Sequence, residues 1–234
     1  MAYDKVVDSA VLDAGLQSIA DAIKAKGGTT DPLAFPDGMV AAVEAISAGD
    51  GIESGVSYEE IDSDGYLISA KVYGTEVPYK AFSNNSRLKT VNLAKGIEKI
   101  GTDAFSSCSN LTSIELPEGL TEIGDSAFSS CSNLKLKTLP SSVTKIVSYA
   151  FSYCYKITSI ELPSSVTTIG SYVFNYCTGL STVTFKGTPD SISKNALGSC
   201  ANLKTINVPW SEGAVADAPW GATNATINYN YTGE

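Results

Sequence analysis

Histidine is absent from this 234-residue chain, and Arg87 is its one arginine. Without an imidazole there is no Ser-His-Asp or Cys-His nucleophile and no histidine-ligated zinc. A single guanidinium leaves almost no means of bidentate phosphate clamping. No apolar run approaches the ~18 residues that argue for a membrane span; the stretch from Met39 to Val43 is cut off at Glu44. The opening Met-Ala-Tyr-Asp-Lys lacks the basic start and apolar stretch of a secretory signal. No glycine-rich loop follows a strand in the phosphate-cradling form, so no nucleotide site is expected. What remains, 43% apolar and 18% charged, is the composition of a globular protein rather than a disordered one.

Basic patches are missing as well. Residues 1–62 hold twelve acids against Lys5, Lys24 and Lys26, so 3 − 12 = −9; the other 172 residues carry 13 of each sign and are neutral. Neither part has the electrostatic footprint of a nucleic-acid binder. An acidic head also disfavours docking on an anionic membrane. The asymmetry marks two pieces with different surfaces, and the head's charge suits a solvated, solubilising face.

What is present is a period of 23. Phe82, Phe105, Phe128, Phe151 and Phe174 keep it, and Leu197 and Trp220 continue the phase. Alanine or valine precedes each of the first six. Leu88, Leu111, Leu134, Ile157, Leu180 and Leu203 follow in step, as do Val91, Ile114, Lys137, Ile160, Val183 and Ile206, then Leu93, Leu116, Leu139, Leu162, Phe185 and Val208. Ile100, Ile123, Ile146, Ile169, Ile192 and Val215 make a further column. Each unit reads Ala-Phe-x-x-Cys-x-x-Leu-x-x-Ile-x-Leu-Pro-x-x-Val-x-x-Ile-Gly. Its Leu-x-x-Ile-x-Leu segment suits a short strand with one buried face, ended by proline. One such unit cannot bury its own apolar side, whereas units stacked ~4.8 Å apart share a continuous interior. A solenoid is therefore expected from residue 66 to 234, after a linker over 49–65 and a helical segment over 1–48. One fault stands out: in Leu134-Lys-Leu-Lys-Thr-Leu, Lys137 falls in an inward slot and Leu136 in an outward one, which predicts a bulge or register adjustment. Gly65 to Pro78 reads as a degenerate first unit, and Trp210 and Trp220 as covers of the last coil.

The repeat, carried by Phe105-Ser-Ser-Cys-Ser-Asn-Leu-Thr-Ser-Ile-Glu-Leu-Pro-Glu-Gly-Leu-Thr-Glu-Ile-Gly and again over 154–174, resembles the BspA-like leucine-rich repeat family across about residues 66–220. The resemblance implies a right-handed, β-rich solenoid with a strand-lined sheet and short helical turns, in a family of surface or adhesion proteins. It implies no shared ligand.

In the head, residues 8–26 read as an amphipathic helix with Leu12, Leu16, Ile19 and Ile23 in one stripe, capped by Asp8 or Ser9 and stopped at Gly27-Gly28. A second helix is expected from Asp37 to about Ile46. These helices are a candidate route to homo-oligomerisation. The run Leu16-Gln-Ser-Ile-Ala-Asp-Ala-Ile-Lys-Ala-Lys-Gly-Gly-Thr, through Leu33-Ala-Phe-Pro-Asp-Gly-Met-Val, resembles a segment of prophage tail-associated proteins of Gram-positive gut bacteria. That likeness implies a joining module which attaches recognition domains to a tail or fibre.

All five cysteines, Cys108, Cys131, Cys154, Cys177 and Cys200, lie 23 apart, with Asn85 in the equivalent place before them. The ladder predicts small apolar thiols buried at one bend of successive coils. Side chains in parallel make poor disulfides, and a linear stack cannot converge on a metal. No metal or cofactor is expected. Reduced thiols with no signal sequence point to synthesis in the cytoplasm, with a virion or extracellular location if the prophage likeness holds and a cytoplasmic one otherwise.

Three places are candidates for chemistry or contact. The first is the outward strand columns, Thr90, Ser113, Leu136, Ser159, Thr182, Thr205 and Asn92, Glu115, Thr138, Glu161, Thr184, Asn207, which suit either a ligand-reading face or merely an exposed strand. Within it, Glu115 and Glu161 stand two strand spacings apart, about 9.6 Å, close to an inverting glycosidase pair. On an open sheet, though, nothing raises either pKa. The second is Asp62-Ser-Asp-Gly65, which matches only the middle of a calcium loop and reads as a turn. The third is Tyr149, Tyr153, Tyr155, Tyr172 and Tyr176, five of the twelve tyrosines within 28 residues, at positions where other units carry serine or aspartate. Exposed, stacked tyrosines offer rigid amphipathic contact area, although they can also simply clad the edge of a solenoid. The expected function is non-enzymatic recognition or adhesion, with a cell-surface protein or glycan as partner and neither nucleic acid nor membrane insertion. The alternative is an intracellular scaffold for protein–protein interaction.

Overall fold

The computed structural model describes residues 55–63 and 66–233. The helices expected over 8–26 and 37–46 lie outside the described residues. In chain order the strands are β1 (Gly55–Ile61), β2 (Leu67–Tyr73), β3 (Glu76–Val77), β4 (Thr90–Leu93), β5 (Lys99–Ile100), β6 (Glu122–Ile123), β7 (Lys145–Ile146), β8 (Ser159–Leu162), β9 (Thr168–Ile169), β10 (Thr182–Phe185), β11 (Ser191–Ile192), β12 (Thr205–Asn207) and β13 (Thr226–Asn228). They wind as a β-solenoid of about seven turns.

Two rows of strands run along it. The Leu-x-x-Ile-x-Leu segments form one row, broken into β1-β2-β4 and β8-β10-β12-β13. In it Ser159 faces Thr182 and Thr182 faces Thr205, one repeat apart, so like residues stack on like. The second row is an unbroken parallel sheet, β3-β5-β6-β7-β9-β11, which places Ile100, Ile123, Ile146 and Ile169 side by side. Sequence periodicity showed this column as apolar but not as a sheet, because its strands are two residues long. Close approach sets their register: a Cβ on Gly124 would lie 2.6 Å from the Ile100 carbonyl oxygen.

The gap in the first row spans two coils, residues 113–116 and 136–139, and the second of them carries the sequence fault. Leu136 is buried there at 8% exposure and Lys137 is exposed, the reverse of the strict repeat phase. The segment rotates so that the leucine fills the interior and the ammonium stays in water, since an unpaired buried charge costs far more than a few ladder bonds. The ladder resumes at once with the Thr138–Glu161 bridge.

The third side of each coil was expected to hold short helical turns. Among the described residues there is no helix. Overlapping β-turns stand there instead: the N–H groups of Ala104, Ser106 and Cys108 donate to the carbonyls of Gly101, Asp103 and Phe105. Alternate N–H groups, on Asp103, Phe105 and Ser107, donate to Asp125, Ala127 and Ser129 of the next coil at 2.7–2.9 Å. Asp103 and Ser107 are left-handed, with φ of 55° and 62°. That alternation aims every second N–H along the solenoid axis, where a helix would have kept it within its own turn.

Inside, the phenylalanines form a column with ring centroids 5.1–5.5 Å apart and planes within 11° of parallel. The five thiols are buried as expected, but they are more than apolar filling. Each donates to the phenylalanine carbonyl of the preceding coil, Cys108 to Phe82 through Cys200 to Phe174, at 3.0–3.2 Å. In the first coil Asn85 takes the same role, with its Nδ2 donating to the Leu67 carbonyl.

Both ends are covered. β1 pairs antiparallel with β2 and buries Val56, so the stretch read as a linker supplies a capping strand. At the other end Trp210 and Trp220 pack against each other and against Phe185, at centroid distances of 5.2–6.2 Å. Trp220 is fully buried, and its indole N–H donates to the Ala216 carbonyl.

Candidate recognition surface

The turn edge of the coils brings the five tyrosines together. Tyr149 stacks on Tyr172 with centroids 5.2 Å apart, and Tyr153 stacks on Tyr176 at 5.0 Å with planes 4° from parallel. Tyr155, from the same coil as Tyr153, stands at 84° to it, 6.3 Å away. Tyr149, Tyr153, Tyr155 and Tyr176 are 37–45% exposed, and Tyr172 is half-buried, its hydroxyl accepting a hydrogen bond from Asn195 Nδ2.

Four of these residues occupy the left-handed positions of the turn edge. Tyr149, Tyr153, Tyr172 and Tyr176 have φ of 56–59°, while their N- and C-terminal equivalents include Asn84, Ser107, Ser130 and Ser199. The conformation is forced on them by the inter-coil ladder: Tyr149 N–H donates to the Ser171 carbonyl and Tyr153 N–H to that of Asn175, at 2.9 and 2.8 Å. A bulky side chain at positive φ is a conformational outlier, costing of order 1–2 kcal/mol. Small polar residues visit that region with less penalty. The positive φ was legible only indirectly, from two columns that elsewhere hold Ser, Asp and Asn, with Lys80 the one other long side chain among them, at φ of 55°. Asp103 shares the column of Tyr149, two coils toward the N-terminus. Burial raises its carboxyl above the ordinary range, with Lys80 opposing and Asp125 adding to the rise.

The outward strand face does not form one open polar surface. Thr184 and Asn207 are each 7% exposed, and they belong to a side-chain ladder in which Asn228 donates to Asn207 and Asn207 to Thr184. Glu115 and Glu161 are exposed, and Glu161 pairs with Lys186 at 3.5 Å. Lys186 also lines a shallow cleft of about 500 Å³ with Phe185, Pro209, Asn230 and Tyr231, a feature without any periodic signal in the sequence. Asp62 accepts a hydrogen bond from the Tyr66 N–H and pairs with Arg87 at 2.7 Å, as a turn residue does. No cluster of metal-ligating side chains occurs among the described residues.

Burial protects the thiols from ionisation. It pushes Cys131 up to about 12 and Cys200 to about 11, against an ordinary value of 9, and raises Cys108, Cys154 and Cys177 as well. Such groups are neither nucleophiles nor metal ligands at neutral pH.

Two parallel strand rows, a turn edge and a column of phenylalanine and leucine define a leucine-rich-repeat solenoid, a repeat scaffold whose interior is fully committed to packing. Six copies of the BspA type leucine-rich repeat match residues 75–204, more than half of the chain, and the protein belongs to that family. No curated protein matches the sequence. Among solved structures, a leucine-rich repeat protein from Bacteroides ovatus is 25% identical with a TM-score of 0.53, over 66% of this chain and 46% of that one. The T. pallidum leucine-rich repeat protein is 26% identical with a TM-score of 0.53, over 68% and 80%. The pneumococcal vaccine antigen PcpA, at 22% identity, shares the fold with a TM-score of 0.59 over 77% and 49%. The chain thus spans about half the length of the first and third of these.

Proposed function

We propose that the protein is a non-enzymatic recognition or adhesion protein whose tyrosine-bearing turn edge contacts a protein or glycan on a cell surface. The observation that carries this reading is the placement of Tyr149, Tyr153 and Tyr176 in left-handed backbone, exposed, with half-buried Tyr172 stacked beneath Tyr149, at positions where other coils carry serine. Strain kept at a solvent-exposed position serves a contact rather than the core. Family membership supports a scaffold role, and the neutral 63–234 region gives no reason to expect nucleic acid. Attachment of residues 1–48 to a phage tail, and so a virion location, rests on the likeness of that segment alone. An intracellular scaffold using the same edge is the second reading.

The test replaces Tyr153 and Tyr176 together by serine and measures retention of the full chain on a panel of bacterial cells. Retention on at least one cell type, lost in the Tyr153→Ser/Tyr176→Ser variant, is the expected result. Retention unchanged by the double substitution removes the tyrosine edge from the account.

A further inference from the structure

We infer that the space beside Tyr153, on the side of Ser130, seats one pyranose ring of a neutral glycan. This rests on the recognition reading above and names the class of ligand for the same edge.

Coils advance by ~4.8 Å, which is the stacking distance of an aromatic ring, and the Tyr153–Tyr176 pair shows it at 5.0 Å. One coil further toward the N-terminus the column holds Ser130, then Ser107, with the same backbone, φ of 60° and 62°. A serine side chain cannot cover a phenol ring. Tyr153 therefore stays 37% exposed although Tyr176 covers its other face. The result is a seat at the level of Ser130, floored by the free face of Tyr153 and open toward Ser107. Tyr155, from the same coil as Tyr153, stands perpendicular to it 6.3 Å away and widens the platform at its edge. Half-buried serines, Ser107, Ser109, Ser130 and Ser132, surround the floor.

A flat apolar platform edged by hydroxyl groups fits a sugar better than an aromatic side chain. A pyranose presents C–H groups on its faces and hydroxyls around its rim, so one ring satisfies both parts of the seat. A phenyl or indole ring would stack equally well but leave the serine hydroxyls without partners, a cost whenever water is excluded. Charge selects further. Lys156 follows Tyr155 and Asp125 precedes Ser126, so the charges nearest the seat are of both signs and no cluster of one sign marks it for an acidic ligand.

The test titrates the full chain with neutral gluco-, galacto- and manno-oligosaccharides, with oligogalacturonate as the acidic comparison and a tyrosine-containing peptide as the aromatic one. Two variants accompany it. Ser130→Tyr fills the seat with a ring, in a column whose backbone already carries tyrosine at 153 and 176, and so keeps the fold. Ser199→Tyr places the same ring at the other end of the stack. At least one neutral oligosaccharide is expected to bind, Ser130→Tyr to weaken it about tenfold or more, and Ser199→Tyr to leave it unchanged. The inference is overturned if no neutral sugar binds, if binding survives Ser130→Tyr, or if only the acidic sugar or the peptide competes with that substitution. Cell retention lost in Tyr153→Ser/Tyr176→Ser but kept in Ser130→Tyr, with no sugar bound, would sink this inference and spare the recognition reading. Retention indifferent to the double substitution would sink the reading itself.

Discussion

Replacing Phe128 by alanine probes whether the coils share one interior. Phe128 is fully buried and stacked on both sides, on Phe105 at 5.1 Å and on Phe151 at 5.4 Å. Removing a buried phenylalanine costs about 3–5 kcal/mol in lost transfer energy and cavity. Within that figure, each aromatic stack accounts for about 0.5–1.5 kcal/mol. Among the described residues Phe82 is stacked on one side only, so Phe82→Ala should cost about 1 kcal/mol less than Phe128→Ala. Double-variant cycles sharpen the argument. The neighbours Phe105 and Phe128 should couple by about 0.5–1.5 kcal/mol. Phe82 and Phe151, three coils or about 14 Å apart, should add to within ~0.5 kcal/mol. Urea unfolding followed by circular dichroism reads all of these, with the slope reporting whether the whole solenoid still unfolds together. A cost for Phe128→Ala below ~1.5 kcal/mol, or equal coupling for the near and distant pairs, would refute the shared interior.

Two further outcomes follow from the same geometry. Below pH 9 the thiols are protonated in both folded and unfolded chains and their contribution is complete. Above it the unfolded chain loses protons that the folded chain holds up to about 12 at Cys131 and about 11 at Cys200. Stability should therefore fall from pH 9 upward, by about 1.4 kcal/mol per pH unit for each such thiol. Urea midpoints from pH 7 to 10.5 should show Cys131→Ala flattening the alkaline slope by one proton, and a curve parallel to that of the unsubstituted chain would contradict this. Tyr153→Ser/Tyr176→Ser removes one exposed stack but relieves two strained residues, so its stability should stay within about 1 kcal/mol of the parent by urea unfolding. A loss approaching that of Phe128→Ala would mean that the tyrosines belong to the packing.

The architecture was readable because a solenoid repeats its packing problem every 23 residues, and like side chains solve it in like places. Phe82 to Trp220 and the thiol column announce the interior without any knowledge of the strands. The second sheet was hidden for the opposite reason. A pair such as Lys145-Ile146 is shorter than any alternation, and its strand character exists only because Lys99-Ile100 and Glu122-Ile123 lie beside it. The short helical turns that the family resemblance implied do not form at the turn edge, because alternate N–H groups find partners in the next coil. Leu136 and Lys137 exchanged roles because desolvating an ammonium outweighs the repeat phase. The thiols' hydrogen bonds were invisible for want of a known partner, the Phe carbonyl 26 residues earlier.

For the candidate surface, columns announced which tyrosines would meet. They did not announce the conformational cost, which is the support for proposing these residues as a contact. Surface ion pairs elsewhere offer no comparable signal. The ladder Glu76–Lys99–Glu122–Lys145, with separations of 3.4–4.0 Å, alternates in sign along an exposed sheet, and such pairs contribute little.

Oxidative footprinting of tyrosines on the cell-bound protein tests the proposed contact most directly. Tyr149, Tyr153, Tyr155 and Tyr176 should lose most of their reactivity on binding, while Tyr66 and Tyr79, similarly exposed but outside the cluster, should keep theirs. Cell-bound protein in which those four remain as reactive as in the free chain would contradict the account.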